Sequence, residues 1–469
     1  MANQKVNKIY LSDIKRDPSS YIDPQGFVFH YQDEIYRCVY AHCAPHFREL
    51  LENGSVSRLE KEFNLVSSTL SDLEIVEIPD AVIFKHAKIW PLSYPTEWCP
   101  SMLHSAAKTT LDLAIEVTDQ DLMLQDAYPW NILFKGTTPV FVDLTSIATA
   151  DKKTLWPAHE QFEAFFLRPL ILSKQGKSFC SQALMYDYIN GISLQKFVSL
   201  LKPTFNLSHL RFKIFLWLDK KLQKSTKVKE KIRLLAEKSM KNITPNIRKR
   251  FLHKVLKNLG DPPKVDKSDP WHDYYAGIDD EFDKEFKIKM VGDLLREMAP
   301  ETVLDIGCNT GVFSIEAAKK GACVMSLDSS ESCVERLYQI ASKDKLKITP
   351  LVVDILSPTP AFGYMSEQYP SLMERAKSDC VLFLGIMHHI HISGRQSFER
   401  IAKMLEKLAS KSLIFEFVSM QDANIPHLSK RRIIDYSEDS VRIELAKYFK
   451  KIVVHKSDRN SRSLFLCTK

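Results

Sequence analysis

Hydrophobic and polar positions alternate with two different periods along this chain. Near the start, residues 27–32 and 35–40 alternate in polarity every second position and are rich in aromatic and β-branched types. This period is typical of paired strands. Asp33 and Glu34 lie between the two runs and supply the turn. The pattern therefore predicts a β-hairpin.

Helical and strand-like segments then follow one another up to residue 260. Short apolar runs bounded by turn residues predict strands at 73–78, 81–89, 132–134 and 140–144. Helical periodicity predicts helices at about 45–67, 101–117 and, with interruptions, 159–258. Ser101 is placed to cap the second of these helices. We expect an α+β region over 1–150 and a mainly helical continuation over 151–260.

Prolines and charged residues cluster at 261–270, where neither a helix nor a central strand is expected to continue. We predict a linker there and a further domain over 271–469. In that domain, strand-like runs alternate with helical patterns, which is typical of a mostly parallel α/β sheet. The predicted strands are 303–306, 323–327, 348–353, 380–384, 412–418, 451–454 and 463–467. Phe282, Phe286 and Met290 recur every four residues and predict a core-facing helix stripe.

Composition places the chain among globular proteins. Its 469 residues exceed what one core usually supports, and 45% hydrophobic with 26% charged residues is ordinary for packed domains. The first ten residues lack the apolar run of a secretory signal, and we expect a cytoplasmic protein without a membrane span. Nine scattered cysteines without a C-x-x-C pair fit a reducing compartment, and their spacing to histidines matches no zinc template, so no metal is expected.

Positive charge is concentrated in one segment. The formal net charge is +7, yet residues 220–267 carry 16 Lys and Arg against 4 Asp and Glu. Such a segment could contact nucleic acid or an anionic membrane surface. We favour the alternative of a solvated helical face.

The decisive motif is a strand that ends in two glycines four residues apart, Gly307 and Gly311, within 303–314. Glycine lets a ligand approach the backbone closely, and ligands of open α/β sheets bind at the carboxyl ends of strands. The spacing differs from the dinucleotide motif G-x-G-x-x-G, and Asp305 lies two residues before the first glycine. A carboxylate there suits a cationic amino-acid group, such as that of S-adenosylmethionine (SAM), better than a pyrophosphate.

This stretch resembles motif I of the class I SAM-dependent methyltransferases, and the resemblance continues in register. Asp328 corresponds to the family's ribose-binding acid, and Asp354 and Ile355 correspond to its adenine-binding element. Tyr275 lies in a segment that resembles the aromatic cover over the cofactor. The resemblance implies a Rossmann-like seven-stranded sheet that binds SAM. The implied cofactor residues are Asp305, Gly307, Cys308, Asn309, Gly311, Asp328, Asp354, Ile355 and Tyr275.

Two adjacent histidines, His388 and His389, follow the fourth predicted strand, where a methyl acceptor is expected. Neutral imidazole takes up a proton near pH 7, so either residue is a candidate general base, and a structural role for both remains open. The segment lacks the Asn/Asp-Pro-Pro-Tyr/Phe signature of amide and adenine N-methyltransferases. We therefore expect a hydroxyl or carboxylate acceptor.

A second group of candidate functional residues lies in the α+β region 1–150. Asp126, Asn131 and Asp143 have the spacing of a catalytic loop and a metal-binding strand. The segment resembles the protein-kinase-like fold, in which these positions serve as base and metal ligands. The sequence departs from that fold because the glycine-rich loop is missing and Arg37 stands in for the usual lysine. Together with 159–169, the pattern resembles two-part methyltransferases related to nodulation proteins. Three interpretations stay open: a working phosphotransfer site that binds ATP and magnesium, a degenerate nucleotide- or substrate-binding scaffold, and an accidental similarity.

Three functional hypotheses result. The leading one is an O-methyltransferase of a small-molecule, glycan or lipid-linked acceptor, with the kinase-like region recognising the acceptor. The second is a bifunctional kinase and methyltransferase. The third is a non-catalytic protein that binds nucleic acid or another anion through residues 220–267.

Overall fold

The structure is a computed structural model of the 469-residue chain. It describes residues 7–20, 23–176, 182–185, 187–201, 243–264, 281–422, 425, 436–457 and 459–469.

The N-terminal region is built around a five-stranded antiparallel sheet with strand order β2-β3-β4-β7-β5. The predicted hairpin is confirmed as β3 paired with β4. The strands of this region are β1 (Asn7–Ile9), β2 (Lys15–Arg16), β3 (Gly26–Tyr31), β4 (Glu34–Val39), β5 (Ser68–Leu70), β6 (Leu73–Ile75), β7 (Val82–His86), β8 (Leu122–Leu124), β9 (Ile132–Lys135), β10 (Thr138–Phe141) and β11 (Ile147–Thr149).

Two short antiparallel pairs frame the segment that carries Asp126, Asn131 and Asp143. Strand β8 pairs with β11, and β9 pairs with β10. Asp126 and Asn131 therefore lie between β8 and β9, and Asp143 lies between β10 and β11. The β9–β10 hairpin is therefore enclosed in sequence by the β8–β11 pair, and the three residues lie in the two segments that join these pairs.

The described helices of this region are α1 (Ala44–Glu52), α2 (Ser55–Phe63), α3 (Pro100–Thr118), α4 (His159–Phe162), α5 (Arg168–Lys174), α6 (Leu194–Leu200) and α7 (Pro245–Leu259). Helix α3 is buried along most of its length and packs against α7. The prediction that Ser101 caps this helix is wrong. Helix α3 begins at Pro100, with Cys99 at its N-cap. Proline favours the first helical position because it has no N–H to satisfy there.

The C-terminal region is a seven-stranded sheet, as predicted, and its strands lie in the order β14-β13-β12-β15-β16-β18-β17. Strands β12 to β16 run parallel, and β18 is antiparallel to both of its neighbours. The central strands are buried on both faces, so their sequences are nearly continuous apolar runs. The strands are β12 (Thr302–Ile306), β13 (Cys323–Asp328), β14 (Ile348–Val352), β15 (Ser378–Phe383), β16 (Ala409–Val418), β17 (Lys451–Lys456) and β18 (Arg462–Thr468).

The described helices of this region are α8 (Glu281–Met298), α9 (Val312–Lys319), α10 (Glu331–Lys343), α11 (Leu372–Arg375), α12 (Phe398–Leu408) and α13 (Glu438–Ala446). The core-facing stripe predicted for α8 is wrong at Phe286, which is 40% exposed. Helix α8 instead buries Lys287, Val291 and Leu295. Met290, the third residue of the predicted stripe, does pack against the core, and the side chain of Phe282 lies outside the described part of the chain. Contact with α9 thus favours a face of the helix that differs from the predicted stripe at Phe286.

The two regions share a continuous hydrophobic core. At their contact, the buried carboxylate of Glu335 on α10 accepts hydrogen bonds from the backbone N–H and the hydroxyl of Ser101. Arg375 forms an ion pair with Glu97, and its guanidinium lies 4.2 Å from the ring centroid of Tyr94. The predicted linker at 261–270 falls mostly outside the described residues. Among the described helices, none is long and apolar enough to cross a membrane.

Candidate functional site

The glycine turn after β12 has a backbone that other residues adopt only at a cost. Gly307 and Gly311 have φ angles of +74° and +84°. A Cβ atom at Gly307 would collide with the side chain of Ile386, and one at Gly311 would collide with Leu337. The two glycines are therefore required by backbone conformation and by close packing, in addition to any approach of a ligand.

The turn is fixed against the neighbouring strand. The backbone N–H groups of Gly307 and Cys308 both donate to the carbonyl oxygen of Leu327, over 2.8 and 3.0 Å. Cys308 is buried, and burial raises the pKa of its thiol well above the usual value. Its thiol therefore stays neutral and has no nucleophilic role here.

Asp305 lies inside the sheet at the start of this turn. Its carboxylate accepts a hydrogen bond from the hydroxyl of Ser314 over 2.6 Å, and that hydroxyl also contacts Ser326 over 2.7 Å. Burial raises the pKa of Asp305 to about 7, while Ser314 and the nearby Lys287 favour the charged form. The group is thus poised between neutral and charged near neutral pH.

Asp328, at the end of β13, is held in one orientation by two backbone N–H groups. Asn309 donates to one carboxylate oxygen over 2.7 Å, and Ser330 donates to the other over 2.9 Å. Each carboxylate oxygen has a second lone pair. The arrangement joins the glycine turn to the ribose-binding position that the sequence predicts.

Asp354 and Ile355 follow β14 at the same edge of the sheet. The N–H of Val353 donates to the carbonyl oxygen of Asp328 over 2.8 Å, which ties the ends of β13 and β14 together. Asp354 is exposed and accepts a hydrogen bond from the N–H of Leu356 over 2.9 Å, and Ile355 is half-buried. Eight of the nine predicted cofactor residues thus lie along one edge of the sheet. The ninth, Tyr275, lies outside the described residues.

The histidine pair follows β15 at the adjoining strand end. The ring centroids of His388 and His389 are 4.3 Å apart, and a π-helical turn covers His389–Ser393. Burial, with smaller effects of His389 and Arg462, lowers the pKa of His388 to about 3. Its Nδ1 has no hydrogen-bond partner among the described residues. Burial also lowers the pKa of His389, which is less enclosed.

Sequence reasoning missed other groups near these histidines. Asp422, after β16, forms a buried ion pair with Arg462 at the start of β18, with an N–O distance of 2.7 Å. His391 stacks on Phe398 at 4.1 Å between ring centroids. No short motif signals the pair of Asp422 and Arg462, because the two residues flank strands β16 and β18, which are neighbours only in the folded sheet.

Arg37 pairs with two aspartates of the N-terminal region. Its guanidinium forms ion pairs with Asp143 at 3.0 Å and with Asp23 at 2.7 Å. Asn131 donates to Asp143 over 3.4 Å. Although Asp126 keeps an exposed face, desolvation by the surrounding protein and the charges of Asp143 and Asp23 raise its pKa. The predicted cluster is therefore assembled, but the arginine already neutralises Asp143. Among the described residues, no group of three or more His, Cys, Asp or Glu could hold a metal ion.

An aromatic cluster connects this N-terminal loop to the edge of the C-terminal sheet. The ring of Trp130 lies 6.3 Å from Phe362 and 6.0 Å from Tyr369, and these two rings stack at 4.6 Å. Tyr188 adds a ring 5.8 Å from Phe362. The segment that follows the predicted adenine-binding residues thus packs directly on the loop between Asp126 and Asn131.

Part of the basic segment has an internal role. Arg248 is 1% exposed and donates to the carbonyl oxygens of Asp151, Thr154 and Leu155. Lys249 pairs with Asp119 at 2.6 Å. Residues 220–242 and 265–267 of this segment lie outside the described residues.

The chain is similar to a family of methyltransferase domains and to a nodulation protein. A methyltransferase domain family matches residues 303–407. Nodulation protein NoeA of Rhizobium meliloti (strain 1021) is 26% identical over 463 residues, covering 96% of this chain and 95% of NoeA.

Solved structures with some likeness include the N-methyltransferase NodS of Bradyrhizobium japonicum WM9, at 16% identity and a TM-score of 0.31, covering 41% of this chain and 99% of NodS. Another is magnesium protoporphyrin IX methyltransferase (ChlM) of Synechocystis PCC 6803 with bound SAH, at 19% identity and a TM-score of 0.28, covering 39% of this chain and 81% of ChlM. The matched domain family and the motifs along the sheet edge together identify the chain as a class I SAM-dependent methyltransferase related to nodulation proteins.

Proposed function

We propose that the chain transfers a methyl group to an oxygen atom of a small-molecule, glycan or lipid-linked acceptor. The observation that supports this best is the histidine pair at the carboxyl end of β15. A hydroxyl acceptor loses its proton as the new bond forms, and imidazole is suited to take it. Residues 384–389 also lack the Asn/Asp-Pro-Pro-Tyr/Phe signature of amide and adenine acceptor enzymes.

Within the pair, we assign proton acceptance to His389 and a positioning role to His388. A base with a pKa of about 3, as for His388, is too weak for efficient proton transfer at neutral pH. His389 is less enclosed and is held through ring contact with His388. His389 is the first residue of a π-helical turn, a feature that is frequent at functional sites.

Bound SAM supplies a methyl group already activated by its positive sulfur. The protein's own contribution is then mainly alignment, which can lower a barrier by about 7–11 kcal/mol, whereas a general base adds about 10²–10⁴-fold. Asp328 and the glycine turn would hold the cofactor in place because both are fixed by backbone hydrogen bonds.

The N-terminal region serves, in this proposal, to recognise the acceptor. Its loop at 126–131 packs against the methyltransferase sheet through Trp130, Phe362 and Tyr369, so a ligand held there would lie close to the cofactor edge. Phosphate transfer is the less favoured alternative. Arg37 pairs with Asp143, and a magnesium ion would have to displace this arginine.

The acceptor atom is tested by incubating the protein with methyl-labelled SAM and fractionated cell extract. An ether product retains its label in mild base, whereas a methyl ester releases labelled methanol, and the carbon chemical shift separates oxygen-bound from nitrogen-bound methyl. Label on oxygen supports the proposal. Label exclusively on nitrogen or carbon contradicts it.

The role of His389 is tested by His389→Gln. We expect kcat to fall by about 10²–10⁴-fold with an unchanged Kd for SAM. His391→Gln is the matched control, because His391 lies in the same turn but stacks on Phe398. Equal kcat values in the wild type and in His389→Gln would show that His389 is not the general base.

A further inference from the structure

A buried ion pair joins helix α8 to strand β16. The ammonium of Lys287 lies 2.7 Å from a carboxylate oxygen of Glu416, although 129 positions separate them in sequence. The side chains are 9% and 0% exposed. The second carboxylate oxygen of Glu416 accepts a hydrogen bond from the hydroxyl of Ser457 over 2.9 Å.

This pair lies beside the glycine turn. Lys287 is 5.2 Å from the ring centroid of Phe313, in the first turn of the helix that follows Gly311. The positive charge of Lys287 also lowers the pKa of Asp305, but burial raises that pKa by more. On the other side, a Cβ atom at Gly385 would lie 3.5 Å from a carboxylate oxygen of Glu416. The pair thus touches the turns after both β12 and β15.

Stability alone is a weak reason for such a pair. Removing two charges from water costs several kcal/mol per ion, and apolar side chains of similar volume often stabilise a core equally well. The position at the carboxyl ends of the central strands, where ligands of open α/β sheets bind, indicates a second reason. Lys287 has three N–H donors, and among the described residues it has one carboxylate partner.

We propose that Lys287 and Glu416 form the subsite for the amino-acid end of SAM, with Lys287 binding the α-carboxylate and Glu416 the α-ammonium. The inference deepens the SAM-dependent activity and depends on it. A zwitterion presents one charge of each sign, and so does this ion pair. Binding of SAM would replace the ion pair between Lys287 and Glu416 by two ion pairs, one between Lys287 and the α-carboxylate and one between Glu416 and the α-ammonium. No buried charge would then lack a partner of opposite sign. Asp305 is close enough to Lys287 for the two charges to interact.

The test compares two ligands by calorimetry on the full chain. S-adenosylhomocysteine carries the amino-acid end, and 5′-methylthioadenosine lacks it. For Lys287→Met, we expect the Kd for S-adenosylhomocysteine to rise about 10- to 100-fold, as for the loss of a charged hydrogen bond. The Kd for methylthioadenosine should change less than about 3-fold. Lys320→Met is the matched control, because Lys320 pairs with Glu316 on the far end of α9.

A purely structural pair would behave differently. If Lys287→Met raised the Kd for both ligands equally, or for neither ligand, the proposed subsite would be refuted. The double variant Lys287→Met with Glu416→Gln leaves no buried charge unpaired and keeps the test valid if the single variant unfolds. It should bind methylthioadenosine like the wild type and S-adenosylhomocysteine weakly. A wild type that bound neither ligand would refute SAM dependence itself, a result distinct from the loss of discrimination in the variants.

Discussion

Replacing Gly311 by alanine tests why the glycine turn after β12 needs glycine at this position. Gly311 has a φ of +84°, and a Cβ there would collide with the side chain of Leu337 on α10, which is fully buried. A left-handed backbone costs a residue with a Cβ about 1–2 kcal/mol, and overpacking a filled core costs about 1–3 kcal/mol. We therefore expect the free energy of unfolding to fall by about 2–5 kcal/mol.

Two further variants separate the contributions. Gly321 has a φ of +99° with nothing within 4 Å of its Cβ position, so Gly321→Ala should show the backbone cost alone, about 1–2 kcal/mol. Leu337→Ala removes the side chain that a Cβ at Gly311 would meet. The double variant Gly311→Ala with Leu337→Ala should therefore lose about 1–3 kcal/mol less than the sum of the single variants.

Urea unfolding followed by circular dichroism measures these free energies of unfolding. Calorimetry with SAM measures whether each variant still binds the cofactor with normal affinity. The reasoning is refuted if Gly311→Ala and Gly321→Ala lose the same stability, or if the double variant is simply additive. Normal SAM affinity in a destabilised Gly311→Ala would show that the collision is relieved on the side of α10, away from the turn.

Three other outcomes are expected. Asp328→Ala should weaken SAM binding by about 1–3 kcal/mol in calorimetry, and an unchanged affinity would remove Asp328 from the site. Because Asp305 has a folded-state pKa raised from 3.8 to about 7, the folded protein retains its proton longer than the unfolded chain does. Urea titrations should thus show stability falling from pH 5 to pH 7.5 more steeply in the wild type than in Asp305→Asn, and parallel slopes would contradict this. We expect little magnesium-dependent ADP release from ATP, because Arg37 neutralises Asp143. Robust turnover that is abolished in Asp143→Asn would favour the bifunctional alternative.

The sequence alone determined the architecture of the C-terminal region. Seven apolar runs predicted seven strands, and each strand of the sheet includes most of one predicted run. Strand and helix periods are local properties, since each follows from which face of the backbone is buried. Glycine spacing and the acids at strand ends likewise predicted the cofactor edge, because the motif lies within one turn and its neighbours follow at the ends of successive parallel strands.

Tertiary structure decided which distant residues meet. Periodicity in α8 placed Phe286 toward the core, yet the folded helix exposes it and buries Lys287 against Glu416. Serine is a favoured N-cap residue, which is why Ser101 was predicted to cap α3. In the fold, Ser101 instead donates a hydrogen bond to Glu335, 234 positions away. A local sequence pattern indicates which positions along an element are apolar. It does not show which distant residue each position contacts.

The same limit applies to the N-terminal cluster. Spacing suggested that Asp126, Asn131 and Asp143 belong together, and all three lie in the segments that join the β8–β11 pair to the β9–β10 hairpin. Only the fold shows that Arg37, on a strand of the five-stranded sheet, pairs with Asp143. Charge balance at a site depends on every group within a few ångströms, because Coulomb energies fall with distance in space and not with separation along the chain.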